Sequence, residues 1–501
     1  MSSLSTSHRH DVVIAGAGPV GLFLAAELAL AGLRVLVLER DPQADQPLKA
    51  APLGTRGLSI ATAEALHRRG LLDGLLAAGA SRQVQAGHFA GIPIARDQVD
   101  ASRWPWRLPS PASTNIGADM AAIEAVLGAR AVALGAEIRR GSAVTGLVDH
   151  GDGVTVEAGE ERFAARWLVG CDGGRSAVRK LAGIEFAGSE PEFTAYSALV
   201  DIADPAGLRP GRNATSAGFY LNEPGRLAIA DFDGGDFDRS EQITLEHLQA
   251  VLRRVSGTDV TLSRVHLATS FTDRTRLAAT YRGGRVLLAG DAAHVHSALG
   301  GQGLNAGLGD AMNLGWKLAA TIRGRAPSGL LDTYEAERRP VGEWLMDWTR
   351  AQVAVMRPGA HARALEAVVR DLAATTDGAT YFAEQLWGVS LRHDFGPGHA
   401  LAGRSGPDFA FDDGSRLADR LREGKGVLVD FDGAPTLRGA VAGWGERIVH
   451  VARGATDRLG LAALLVRPDG VVAWASDEPP SCDAALPALT RWFGAPEAGA
   501  C

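Results

Sequence analysis

A short apolar run, Asp11 to Ala15, breaks at Gly16-Ala17-Gly18-Pro19-Val20-Gly21, continues with helical spacing to Gly32, and is followed by a second apolar run from Arg34 to Arg40. Strand, glycine turn, helix and strand in that order leave few folds open. Glycines spaced G-x-G-x-x-G at such a junction permit the tight turn and bring backbone N–H groups up to a diphosphate at the helix N-terminus. Glu39 closes the second run 18 residues beyond Gly21, where a carboxylate reaches the hydroxyls of an unphosphorylated ribose. The pattern predicts an α/β, Rossmann-like dinucleotide domain and leaves NAD and FAD both open.

Two later segments carry turns of related kind. Arg166 to Gly170 is an apolar run ending in Cys171-Asp172-Gly173-Gly174. Val286 to Ala289 ends in Gly290-Asp291, after which a loop with Gly300, Gly301 and Gly303 runs into a helix opened by Leu304-Asn305. Asp291 is suited to accept from a ribityl hydroxyl. The helix opening near Gly303 directs N–H groups at whatever acceptor lies ahead of it. An isoalloxazine, whose N1 and C2 carbonyl gain negative charge on reduction, suits that position.

The order GAGPVG, CDGGRSAVR, GDAAHVHSALGGQGLNAGLGDAMNLGWKLA and YEAERRP, spread over Asp11 to about Arg350, resembles the class A flavin-dependent aromatic hydroxylases. It is most similar to actinobacterial polyketide hydroxylases that carry a C-terminal thioredoxin-like domain without redox cysteines. The resemblance implies one FAD held by Gly16, Gly18, Pro19, Val20, Gly21, Glu39, Arg40, Lys49, Met120, Val144, Asp172, Gly173, Gly290 and Asp291, with the loop Gly301, Gln302, Gly303, Leu304 and Asn305. It further implies NAD(P)H as a transient reductant without a nucleotide module of its own. O2 would add at flavin C4a as the hydroperoxide, and one oxygen would pass to a polycyclic, polyketide-type aromatic. Departures from the family pattern are Ser297 and Ala298 in place of prolines, Met120 in place of a glutamine, and Ala61 in place of an arginine, with Arg56 the candidate to substitute as a catalytic residue. They keep Baeyer–Villiger insertion on the same scaffold open. A non-catalytic binding protein of the same fold is the alternative outside enzymology.

Phe186 to Val265 alternates polar and apolar stretches between turn residues, which suits an antiparallel sheet. The organisation expected is residues 1–185 as the first part of the FAD domain, with 80–115 contributing to the substrate domain. Residues 186–280 form the substrate sheet, 281–396 the second part of the FAD domain with long helices, and 397–501 the thioredoxin-like domain. None of the flavin motifs lies beyond Gly406, so that last domain is expected to be dispensable for FAD. Aromatic side chains able to face a planar substrate are Phe89, Trp104, Trp106, Tyr220 and Phe232, with His296 beside the flavin loop. His294 and His296 stand H-x-H with no third ligand nearby, and no metal is expected.

Composition narrows the partners. A net charge of −7 from 51 basic and 58 acidic residues gives no basic stripe and excludes nucleic acid as the expected partner. Cys171, Cys482 and Cys501 form neither a CxxC nor an even framework, which fits a reducing compartment. The start, Met1 to Val13, has no apolar signal-peptide core, and Val12 to Ala26 is too short to cross a bilayer. A cytoplasmic enzyme, monomeric or homodimeric, is the expectation.

Overall fold

The computed structural model describes residues 10–83, 86–433 and 435–497, so the N-terminal start and Cys501 lie outside the described residues. The first apolar run is the strand His10–Ala15, near the middle of a sheet whose parallel strands follow the order Val286–Leu288, Glu161–Gly170, His10–Ala15, Val35–Glu39 and Glu137–Arg140. Val12, Val13 and Ile14 are fully buried, as expected of parallel strands covered on both faces. The helix Pro19–Leu30 packs against both Met120–Ala133 and Gln302–Ile322. Val144–Asp149 and Val154–Ala158 extend the sheet antiparallel onto the first half of Glu161–Gly170.

The chain then leaves this domain. A five-stranded antiparallel sheet follows the order Gly211–Ala214, Gly218–Glu223, Arg226–Asp231, Thr194–Ile202 and Leu262–Thr272. The helix Leu245–Ser256 covers one face, where Leu248, Val251, Leu252 and Val255 bury Tyr196, Val200, Tyr220 and Ile229. Both crossings between domains run through a small sheet of Phe186–Ser189, Thr275–Ala278 and His294–Val295, which ends just short of the flavin loop. The architecture is therefore the interleaved one expected from the sequence.

The C-terminal sheet places Gly426–Asp430 parallel to Ile448–Ala452 and antiparallel to Ala463–Val466, which pairs with Val472–Ser476. With the helices Pro435–Val441 and Cys482–Phe493 this is a thioredoxin-like arrangement, and no cysteine stands between Asp430 and the first of them. It is not a freestanding appendage. Trp316 and Leu330 belong to the same apolar cluster as Trp444, Leu465 and Trp492, and the buried Arg69 guanidinium joins Glu27 to the carbonyls of Leu421 and Pro468. The helical pattern Ile60 to Ala77 is two helices, Ile60–Arg68 and Leu72–Ala77, separated at Gly70, whose φ is +67°. The helices expected within residues 281–396 include Ala360–Ala373 and Thr376–Trp387, the second capped by Thr375 and ended at Gly388.

Candidate active site

Each glycine of the first turn does something different. A Cβ on Gly16 would lie 2.4 Å from the carbonyl oxygen of Cys171, and one on Gly21 would lie 2.0 Å from that of Gly16, whereas around Gly18 there is nothing within 4 Å. Two glycines thus let backbones touch, and the third leaves room ahead of the helix. Pro19 opens that helix without a side-chain cap and without an acid in its first turn, so its N–H groups remain free for an anion. Val20 faces inward: its Cγ2 stands 3.1 Å from where a Cβ of Gly290 would be, and 2.6 Å from that of Gly307.

The three turns converge. The amide of Cys171 donates to Ala15 at 2.8 Å and that of Ala289 to Gly170 at 3.0 Å. Arg179, buried, donates to the carbonyls of both Ala292 and Gly174 at 2.9 Å, tying the second turn to the third. Asp172 turns back onto its own segment, where its oxygens accept from Ser176 Oγ (2.5 Å), Ala177 N (2.7 Å) and Val178 N (3.1 Å). Its carboxylate is spent on ordering that turn, with Gly173 at φ +77° allowing the bend.

Around the rim, Glu39 accepts from the amides of Ala17 (2.6 Å) and Asp41 (2.9 Å), and its own carbonyl accepts from Ser142, which brings the start of the strand Val144–Asp149 alongside. Arg40 is exposed with only Asp41 nearby. Lys49 reaches Glu124 at 2.7 Å, and Met120 donates its amide to Gly54 at 3.0 Å. Burial raises the Glu124 carboxyl although Lys49 opposes it. Arg56 curls onto the carbonyls of Leu53 (2.9 Å) and Thr55 (3.0 Å), and burial lowers its pKa.

Asp291 is the exception to this mutual satisfaction. It makes no hydrogen bond among the described residues and is exposed. Surrounding protein raises its carboxyl above the ordinary range, with Asp310 adding to the effect and His294 opposing it. Behind it, Asp310 is fully buried and accepts from the Gly290 amide (3.0 Å), the His294 ring (2.7 Å) and Arg338 Nε (2.7 Å). Burial works against its charge, and His294 and Arg338 outweigh it, so the carboxyl titrates below its ordinary value. Asp310 and Arg338 were not recognised as functional from sequence. Both lie within segments that carry the family resemblance, Asp310 in GLGDAMNLGWKLA and Arg338 in YEAERRP, but nothing in their spacing pairs them.

The loop Leu299–Gly301 turns through Gly300 (φ +76°) and Gly301 (φ +65°) into the helix Gln302–Ile322, again without a side-chain cap. Gly303 gives His296 space, since a Cβ there would lie 2.5 Å from its Nε2, and burial holds the His296 ring near a pKa of about 4. Leu304 packs on the sheet core. Asn305 is fully used: it donates to Gly57 and Gly301 and accepts from Ser59 N and Thr62 Oγ1. It therefore fixes the loop rather than offering a free side chain. Gln302 donates to the carbonyls of Gly300 and Leu386.

The aromatic candidates do not form one wall. Phe89 stacks among Trp348 and Phe382, both at 4.8 Å, and Phe232 packs on Phe193 at 5.3 Å. Together with Phe219 and the loop residue Leu299, Phe232 bridges two apolar clusters between the sheet and the flavin loop. Trp104 instead donates to Glu384 at 3.1 Å and packs on Trp387. Trp106 packs on His399 and the C-terminal core. Tyr220 is 3% exposed within the core under the helix Leu245–Ser256. The period of two along its strand explains the last: Phe219 and Leu221 take the face opposite to Tyr220. His294 and His296 bond Asp310 and the Ser297 carbonyl respectively and do not converge.

An open diphosphate position at Gly18, an unpartnered acid at Asp291 and two uncapped helix N-termini fit the two ends and middle of an FAD. Comparison with known proteins agrees. Residues 9–349 match the FAD binding domain family, and residues 399–496 match the aromatic-ring hydroxylase C-terminal family. The chain belongs to the FAD-binding aromatic hydroxylases. It is 45% identical to a monooxygenase of Claviceps purpurea, over 97% of this chain and 98% of the other. It is 40% identical to the rifampicin monooxygenase of Streptomyces venezuelae, over 98% of this chain and all of the other. The anhydrotetracycline hydroxylase of Streptomyces rimosus superimposes with a TM-score of 0.85 at 38% identity, over 97% and 99% of the two chains. The protein is thus an FAD-dependent monooxygenase, and among its described residues no helix is long and apolar enough to cross a membrane.

Proposed function

We propose that the protein hydroxylates a polycyclic, polyketide-type aromatic, using NAD(P)H and O2. When bound, FAD supplies the chemistry, taking a hydride from the nicotinamide and activating O2 so that one atom enters the substrate and the other leaves as water. The chain's own residues bind, orient and enclose. Gly16, Gly18 and Gly21 with the N-terminus of Pro19–Leu30 would hold the diphosphate. Glu39 would hold the adenosine ribose and Asp291 the ribityl chain. The uncapped N-terminus at Gly301–Gln302 would face the ring edge that becomes negative on reduction.

The apolar seam formed by Phe219, Phe232 and Leu299 would lie over the ring and keep water away from the oxygenating face, where water would divert the reaction to H2O2. His296, neutral at ordinary pH because burial depresses it to about 4, adds no charge there. The observation that carries this reading is the convergence of three separate turns, with open space at Gly18, Gly173 and Gly301 and an Asp291 carboxylate that no described residue bonds.

The test is oxidation of NADH and NADPH by the FAD-loaded protein, measured against a panel of polycyclic phenols, with product structures by NMR. Faster turnover with one of them and a new ring C–O bond supports the reading. Turnover that no aromatic changes, or an oxygen inserted beside a carbonyl, would refute it.

A further inference from the structure

The Gly290–Asp291 turn is closed locally by the Ala293 amide on the Gly290 carbonyl at 2.8 Å, but its leading N–H is held from far along the chain. Its amide is taken by Asp310, which belongs to the following helix and is completely buried. Asp310 is itself clamped from the far side, since Arg338 bonds it through Nε and uses Nη2 on the Ala306 carbonyl at 3.0 Å. The residue before Arg338 in the helix Asp332–Met356 is Glu337, which meets the same helix Gln302–Ile322 further along and also reaches the C-terminal domain. Its carboxylate receives both Nη atoms of Arg467 at 2.8 Å, Asn313 at 2.7 Å and Lys317 at 2.9 Å.

Arg467 belongs to the thioredoxin-like domain, at the end of the strand Ala463–Val466. It is fully buried, is also paired with Asp469, and lies within 4.4 Å of the Trp492 ring, 5.1 Å of Phe395 and 5.3 Å of Trp316. A planar guanidinium held by two carboxylates and three aromatic faces has one orientation available. Two charged side chains on consecutive helix positions therefore connect a fixed point in the C-terminal domain to the turn that presents Asp291.

We propose that Asp310 is a positioning residue for FAD and that Arg467 of the C-terminal domain supports it through the adjoining pair Glu337 and Arg338. The inference rests on the reading that the Gly290–Asp291 turn holds FAD. It gives the redox-silent C-terminal domain a role, which is to fix the helix Asp332–Met356 at Glu337, next to the arginine that holds Asp310. Contiguity alone does not establish coupling, so the claim stands on a coupling measurement.

The experiment titrates FAD into apoprotein, following the quenching of flavin fluorescence, for the parent chain, Asp291→Ala, Asp310→Asn, Arg467→Lys and the double variant Asp310→Asn/Arg467→Lys. Thermal midpoints are recorded alongside. Lysine keeps the buried charge but loses the two-pronged bond to Glu337. Asp291→Ala weakens FAD, Asp310→Asn weakens it about ten-fold or more, and Arg467→Lys about three-fold or more. The double variant loses clearly less than the product of the two, because both cut the same connection.

No effect of Asp291→Ala would remove the reading of the turn itself. A weakened Asp291→Ala with Asp310→Asn unchanged would remove Asp310's role. A lowered midpoint for Arg467→Lys with FAD affinity unchanged, or losses that simply multiply, would reduce Arg467 to a structural residue and overturn the link. Where Asp310→Asn fails to fold, Arg338→Lys interrupts the same contact and is read by the same criteria.

Discussion

The Glu39 carboxylate accepts a hydrogen bond from the amide of Ala17 at 2.6 Å, so the acid that ends the second strand also braces the glycine turn after the first. One residue orders the loop and, in the function proposed above, would offer its remaining lone pairs to a ribose. A charged acceptor on a backbone N–H contributes roughly 1.5–3 kcal/mol. Glu39→Ala is therefore expected to weaken FAD binding by at least about ten-fold, measured by flavin fluorescence on titration into apoprotein. Glu39→Gln should lose less, because the amide oxygen can still accept from Ala17. Equal affinity for all three proteins would remove Glu39 from the site.

Gly307 tests the close approach of two helices. A Cβ there would lie 2.6 Å from Val20 Cγ2 and 3.2 Å from the Gly290 Cα, and the second of these is backbone that cannot rotate away. Gly307→Ala should cost about 1–3 kcal/mol of stability and weaken FAD as well, since relief requires moving either the first or the third turn. Calorimetry with and without FAD separates the two effects. A variant as stable as the parent would show that the two helices have room to spare at this crossing.

The parts of the fold readable from sequence were those encoded by short-range chemistry. The strand–turn–helix at Asp11 to Gly32 and the antiparallel stretch after Phe186 each carry a local period or turn pattern, whereas the thioredoxin-like character of the C-terminal domain came from the family resemblance. What was not readable is long-range partnership. The Asp172 carboxylate, expected to meet the cofactor, also orders its own turn through Ser176, Ala177 and Val178, and Tyr220, expected to be able to face a planar substrate, lies on the core face of its strand. Asp310 acquires meaning only from Gly290, His294 and Arg338, which come from three other elements, and no spacing rule links them.

The C-terminal segment, expected from motif placement to be dispensable for FAD, shares a core and buried ion pairs with the FAD domain. Removing residues beyond 398 would leave Glu337 without Arg467, the Glu27–Arg69 pair without the Leu421 and Pro468 carbonyls, and Trp316 without its apolar cover. Glu337 would keep only Lys317 as a cationic partner, and breaking a buried ion pair costs up to about 3–5 kcal/mol. The truncated chain should aggregate, or melt well below the full chain with little FAD bound. A soluble truncation carrying stoichiometric FAD at an unchanged midpoint would show that the shared core adds nothing.

Acid should loosen the protein through its buried imidazoles. His296 is held down to about 4, mainly by burial and secondarily by the charge of His294, against the Ser297 carbonyl that favours its proton. In the unfolded chain it returns to an ordinary value of 6.5, so between those values the unfolded state binds the extra proton. Stability from this group is complete above the ordinary value, falls as pH drops through the window, and is down by about 2 kcal/mol at pH 5. His393, pushed down to about 3 by burial, adds a loss of the same sign. The thermal midpoint of the apoprotein should therefore fall between pH 7 and pH 5, and His296→Asn should remove part of that fall while leaving the share due to His393. An identical slope in the variant would mean that the His296 ring takes up its proton in the folded state as readily as in the unfolded chain.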